Sequence, residues 1–198
     1  MVRHRTDRCR TGDARRTALH RTARALRAAG ARPTGLVDQV PVAELTEAHA
    51  MVMAHEAARS LAAEARHPEA LSIPLRELLD RGARTPASEY RAALATARAA
   101  RTRILGLLAH TDVILGPAAP GPAPYGVDAT GTPVLSRCWQ LHGLPVVTVP
   151  GHRDPDGMPL GLQLVGHPER VGRLLGIARR TEQLIAGTSL ARHPSAIG

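Results

Sequence analysis

The chain has 198 residues, 43% of them hydrophobic and 22% charged, which is enough apolar material for one domain-sized core. All 26 basic residues are arginine: lysine is absent, together with asparagine and phenylalanine, and the formal charge is +9. No apolar run approaches the ~20 residues that a membrane-spanning helix needs, and the opening MVRHRTDRCR is polar where a secretory leader would show an apolar stretch, so none is expected.

Loss of Lys, Asn and Phe with gain of Arg, Ala, Gly and Pro is what a GC-rich coding sequence produces, so the net charge is read first as nucleotide bias. It is concentrated in residues 1–33, where ten arginines face only Asp7 and Asp13. Cys9 and Cys138 form neither a CxxC pair nor a disulfide framework, which fits a reducing cytoplasm.

In chain order, a basic arm over 1–12 precedes a helix over 13–29. Leu19, Ala23, Leu26 and Ala29 share one face of it, and Gly30 stands where a left-handed cap is wanted. Residues 34–40 read as a short strand or extended link. A second helix is expected over 42–66, ended by His67-Pro68. A short helix over 74–80 closes at Arg81-Gly82. Thr85-Pro86 offers a cap oxygen and a first-turn proline for a long helix reaching residue 109.

Beyond residue 110 the pattern changes. Residues 112–115 form a short run that is apolar on both faces, as in a buried strand. The following GPAAPGPAPYG, 116–126, has too much proline and glycine for helix or ladder. A short helix over 134–141 leads to a strand over 145–149. A turn through 154–157 then precedes a strand over 160–165, and a helix over 169–185 is followed by a polar tail, 187–198. Helices mixed with short apolar strands predict an α/β fold, a mixed central sheet flanked by helices.

Four pieces of this second half carry a resemblance: DVILGPAAPGPAP from Asp112, the pair Thr130-Gly131, HGLPVVTVPG from His142, and MPLGLQLVG from Met158. In this order they resemble the carboxy-terminal signature of the amidase-signature hydrolases. There a D-x-x-x-x-P strand enters a proline-rich loop, a G-x-P-x-x-x-x-P strand follows, and a hairpin leads into P-x-G-x-Q. Looser likeness extends over roughly 13–185. One departure is Gln140, where the family often has asparagine.

The resemblance assigns structural positions to Asp112, Pro117, Gly131, Gly143, Pro145, Pro150, Gly161 and Gln163. Each also has a physical reason to be there. Gly143 and Gly151 bracket a strand that turns at both ends, and Pro145 and Pro150 suit strand termini. Gly161 permits close backbone approach. Gln163, polar in an apolar strand, is expected to bond nearby main chain.

What the resemblance implies about chemistry is a serine nucleophile, a second serine on a cis peptide, and a proton-accepting lysine, set in a Gly-Ser-rich segment. Those parts lie upstream of the region resembled. This chain has no lysine, and Ser60, Ser72, Ser88, Ser136, Ser189 and Ser195 are isolated. No residue is therefore assigned a catalytic role. The expectation is a truncated or split amidase, with a non-catalytic partner-binding scaffold as the alternative and nucleic-acid binding through the Arg-rich arm as the less favoured one. It is expected to self-associate or to bind a complementary amino-terminal half.

The ten histidines make no metal-ligand spacing: His49 and His55 lie six apart on one helix, and His142 and His152 only flank a strand. They are expected at the surface or at caps, with no metal and no cofactor.

Overall fold

The computed structural model describes residues 7–35, 40, 42–127 and 130–190. The elements are α1 (Asp7–Ala28), α2 (Val42–Ser60), α3 (Ile73–Arg84), α4 (Ala87–His110), β1 (Val113–Pro117), α5 (Arg137–Leu141), β2 (Val146–Arg153), β3 (Pro159–Gly166) and α6 (Val171–Leu190). Short 3₁₀ turns cover Glu64–Arg66, Pro68–Ala70 and Pro168–Arg170.

The three strands make one sheet in the order β1-β3-β2, with both pairings antiparallel. The α/β class holds, and every described pairing is antiparallel. Alternation along the strands gives the sheet two different faces. Val113, Leu115, Val147, Val149, Leu162 and Leu164 face α6 and α1, where Leu174, Ala178 and Ile185 complete an aliphatic cluster. Ile114 and Val165 face the other way, onto Leu45 of α2, Ile104 and Leu108 of α4, and Cys138 and Trp139 of α5.

Only the middle strand is buried on both faces, from Leu162 to Gly166. Short apolar runs of this kind predict buried strands, but β1 has Ile114 alone buried and β2 has Val149 alone. The reason is position: among the described residues β1 and β2 are the sheet's edges, so each is covered less than β3.

Local details correct several expectations. The second helix stops at Ser60 rather than 66. Residues 62–70 are exposed, so no buried face favours more α-helix there, and Pro68 restricts His67. Thr85 does not cap α4: its hydroxyl donates back to Arg81 O, and Pro86 takes the N-cap position. The proline-rich loop is shorter than 116–126, because Gly116 and Pro117 pair with Gln163 and Leu162 at the end of β1, where an edge strand tolerates proline. The link at 34–40 lies mostly outside the described residues. Gly30 does end the first helix, with φ +92 and the paired bonds Ala31 N–H to Leu26 O and Gly30 N–H to Arg27 O.

Gly82 is not a terminator. It lies inside α3, buried, where an added Cβ would stand 1.9 Å from Ala54 O of α2. Close approach of these two helices therefore requires glycine here. Gly82→Ala should lower unfolding free energy by about 3 kcal/mol, since the backbones must separate. Urea melts would measure it, and an unchanged midpoint would contradict this account of the α2–α3 contact.

Candidate functional site

Gln163 organises the signature region. It is 5% exposed, sits on the middle strand, and donates from Nε2 to Pro117 O at 2.9 Å and to Leu135 O at 3.0 Å. One amide thus joins β3 to the end of β1 and to the segment that begins α5. Gly161, two residues earlier on the same face, leaves room: a Cβ there would meet Thr148 Cγ2 at 3.0 Å and Ala118 Cβ at 3.4 Å. Ala118 N–H bonds Gly161 O at 3.0 Å, continuing the β1 edge one step into the proline-rich loop.

The remaining signature positions serve turns and strand ends. Gly143 has φ +59 after α5, and Gly131 has φ +82 beside Pro124. Pro145 O accepts from Gly166 N–H at 3.0 Å, a bond that does not need the proline's missing donor. Pro150 and Gly151 fall in a bulge, where three steps of β2, from Val149 to His152, span two of β3. Gly151 has φ +125, and a Cβ would stand 2.6 Å from Ile185 Cγ2, so the bulge is seated directly on α6. Asp112 lies away from this centre, in a two-pronged ion pair with Arg173 at 2.6 and 2.7 Å.

Two clefts flank the region. One, of about 430 Å³, lies among α2, α4 and α5 and is lined by His49, Glu56, Arg98, Arg101, Gln140 and His142 over an apolar floor. The other, of about 450 Å³, lies between α1 and the end of β2, with Arg21, His152, Arg153 and Asp154 at its walls.

The histidines depart from expectation. His55 and His142 are buried, at 6% and 4% exposure, not superficial. His55 stacks on Tyr90 with ring centroids 4.1 Å apart, while Tyr90 OH donates to Glu56 at 2.9 Å. Their burial follows from helix packing: α2 faces α4 and α5 through small alanines, so bulkier side chains between them are enclosed. His152 Nε2 is 2.7 Å from Thr22 Oγ1, linking β2 to α1, and Thr22 itself is 1% exposed. His167 caps the turn that follows β3 by accepting from Glu169 N–H. Among the described residues, no group of three or more His, Cys, Asp or Glu is placed to hold a metal ion.

Burial lowers the pKa of His49, helped by the Arg137 charge, that of His142, helped by Arg101, and that of His152, helped by Arg21. Burial pushes the Cys138 thiol up to about 11, so it stays protonated and unreactive. None of these cross-helix partnerships has a local sequence signal. They join residues far apart in sequence, and only the polar character of His and Thr on otherwise apolar faces hints at them.

A family model described as Amidase matches residues 4–175. The chain belongs to the amidase family. Among curated relatives, a glutamyl-tRNA(Gln) amidotransferase subunit from Chlorobium chlorochromatii is 40% identical over 84 residues, 38% of this chain and 18% of the relative. The putative amidase AmiB2 of Mycobacterium bovis is 30% identical over 128 residues, 59% of this chain and 28% of the relative. A solved amidase superposes with TM-score 0.74 at 30% identity, covering 85% of this chain and 41% of that one. The chain thus spans well under half the length of these relatives.

Two outcomes test the site. Gln163→Leu takes the donor from two half-buried carbonyls and should cost about 1–3 kcal/mol in chemical denaturation; a loss below about 0.5 kcal/mol would show that the carbonyls find other partners. Because His49, His142 and His152 take up protons less readily folded than unfolded, stability should be full above their ordinary pKa of 6.5. It should fall as pH drops through that value and level off once the folded rings also protonate. Urea midpoints from about pH 7.5 to 5.5 would show the slope, and His142→Gln should reduce it.

Proposed function

We propose that these 198 residues supply the carboxy-terminal scaffold of an amidase that hydrolyses carboxamides, and that its Ser–Ser–Lys machinery lies outside them. That machinery would sit on a further segment of the same polypeptide or on a partner chain. The observation that carries the reading is a family match over residues 4–175 in a chain without a single lysine. No lysine side chain here can accept the nucleophile's proton.

The described serines support it. Ser60, Ser72 and Ser88 are exposed at helix ends, and Ser136 donates its hydroxyl to Pro133 O rather than to a basic side chain. The strand edges of β1 and β2 offer unpaired backbone groups to further strands. One relative is by name a subunit of an amidotransferase, which fits a part that works beside another chain. A reducing, cytoplasmic setting fits the free, buried Cys138.

Ammonia release from simple amides tests this directly. The purified chain alone should show only background. Adding a separately produced amino-terminal amidase segment, bearing the Gly-Ser-rich stretch and its lysine, should restore release and give a complex detectable by light scattering. Turnover by the repurified chain alone would overturn the proposal.

A further inference from the structure

The arginines of α1 are distributed unlike those in the rest of the chain. Residues 14–32 hold six arginines and no carboxylate. Over residues 42–110, which contain α2, α3 and α4, nine arginines face eight carboxylates. A GC-rich coding sequence raises arginine throughout, but it does not strip Asp and Glu from one helix. The excess at α1 therefore needs a cause of its own.

Helical spacing shows how that charge is presented. From Asp13 onward the buried positions of α1 are Ala18 and Thr22, at 4% and 1% exposure. At about 100° per residue, Arg16, His20, Arg24 and Arg27 fall on the opposite side, and all four are exposed. Arg21 is exposed on the flank of this ridge. Arg16 pairs with Asp13, whereas among the described residues Arg21, Arg24 and Arg27 have no ion-pair partner. These three follow at steps of three residues, a spacing at which like charges weaken a helix. Only Arg27, in the last turn, gains from the helix dipole. The arrangement does not serve the stability of α1. The neighbouring α6 adds exposed Arg179 and Arg180.

The ridge also limits its partner. Among the described residues, none of the exposed large hydrophobic side chains belongs to α1. The apolar side of the helix, Leu19 included, is packed towards the sheet and α6, so none is left to insert into a bilayer. A docked protein would need an apolar anchor at the centre of its footprint, and the ridge offers none. Neither tyrosine nor the single tryptophan lies on α1, so unstacked bases find no platform there. A regular row of phosphates does fit. Double-stranded DNA carries one charge per ~1.7 Å of axis, and the ridge from Arg16 to Arg27 runs for about 16 Å.

We propose that the outer ridge of α1 binds the phosphate backbone of a nucleic-acid duplex without reading its sequence. Arg21, Arg24 and Arg27 donate to phosphate oxygens, which the planar guanidinium fork matches in geometry. The site is independent of the amidase reading, because it lies on the side of α1 turned away from the sheet.

The 198-residue chain is titrated against labelled duplex DNA of about 20 base pairs, by fluorescence anisotropy across a range of salt. Saturable binding is expected, with log affinity falling by about 3 per tenfold rise in salt, as three neutralised phosphates require. Arg24→Gln with Arg27→Gln should weaken binding about tenfold or more and reduce that slope by about 2, while circular dichroism stays unchanged. The matching pair on α4, Arg91→Gln with Arg103→Gln, is equally exposed and should alter neither. An equal loss from the α4 pair would show that net charge alone draws the duplex, and would overturn the site. So would a lack of saturation, or binding to single strands, polyglutamate or phosphatidylserine vesicles as tight as to the duplex. Any of these would leave the ammonia-release test untouched.

Discussion

The side-chain amide of Gln163 holds the signature half of the molecule together. Its two bonds, to Pro117 O and Leu135 O, fasten the segment that leads into α5 to a β1–β3 pair already joined by its ladder. Two backbone carbonyls turned towards a buried strand need donors, and a hydrocarbon side chain offers none. From Leu135 the chain enters α5, so this bond also places Trp139 and His142 against α2 and α4. The wall of the cleft that α5 supplies thus shares an anchor with the middle strand.

The sheet separates two kinds of packing. Towards α6 and α1 the contacts are aliphatic, and glycine at 151 lets the bulged end of β2 touch Ile185. Towards α2, α4 and α5 the contacts are smaller and more polar. Ala48, Ala93, Ala97 and Ala100 bring helices close, and their small volume leaves space that histidine and tryptophan occupy. With only 2% aromatic residues, this core draws little burial energy per side chain, so close backbone approach as at Gly82 carries more of the packing. The same scarcity of bulk lets nitrogens be enclosed without partners.

Much of the second half was legible because its constraints are local. A left-handed glycine, a proline at a strand end, and a glutamine in an apolar run each state a backbone need within a few residues. Gly143 and Gln163 occupy such places, as Gly30 does at the end of α1. The sequence misled where a local signal had two uses. Thr85 could cap either neighbouring helix, and it serves the preceding one. Gly82 could end a helix or permit a crossing, and it permits a crossing. The histidines were illegible for another reason: burial of His55 and His142 depends on how α2, α4 and α5 meet, which no window of sequence contains. Edge and centre strands were likewise indistinguishable by composition, since Val146–Val149 reads as apolar as Leu162–Val165.

The order β1-β3-β2 has a bearing on how the chain reaches this state. β2 and β3 are joined by the tight turn at 154–158, where Asp154 Oδ1 accepts from the N–H groups of Asp156 and Met158. That hairpin closes over a short span at small entropic cost. β1 must find β3 from across residues 118–158, and α1 must find α6 from across nearly the whole described chain. The hairpin can therefore act as a template, while the docking of α1 on α6 carries the largest loop-closure cost. Until α1 and α6 dock, the aliphatic face of the sheet has no cover, and it is the arginine-rich α1 that helps to close it.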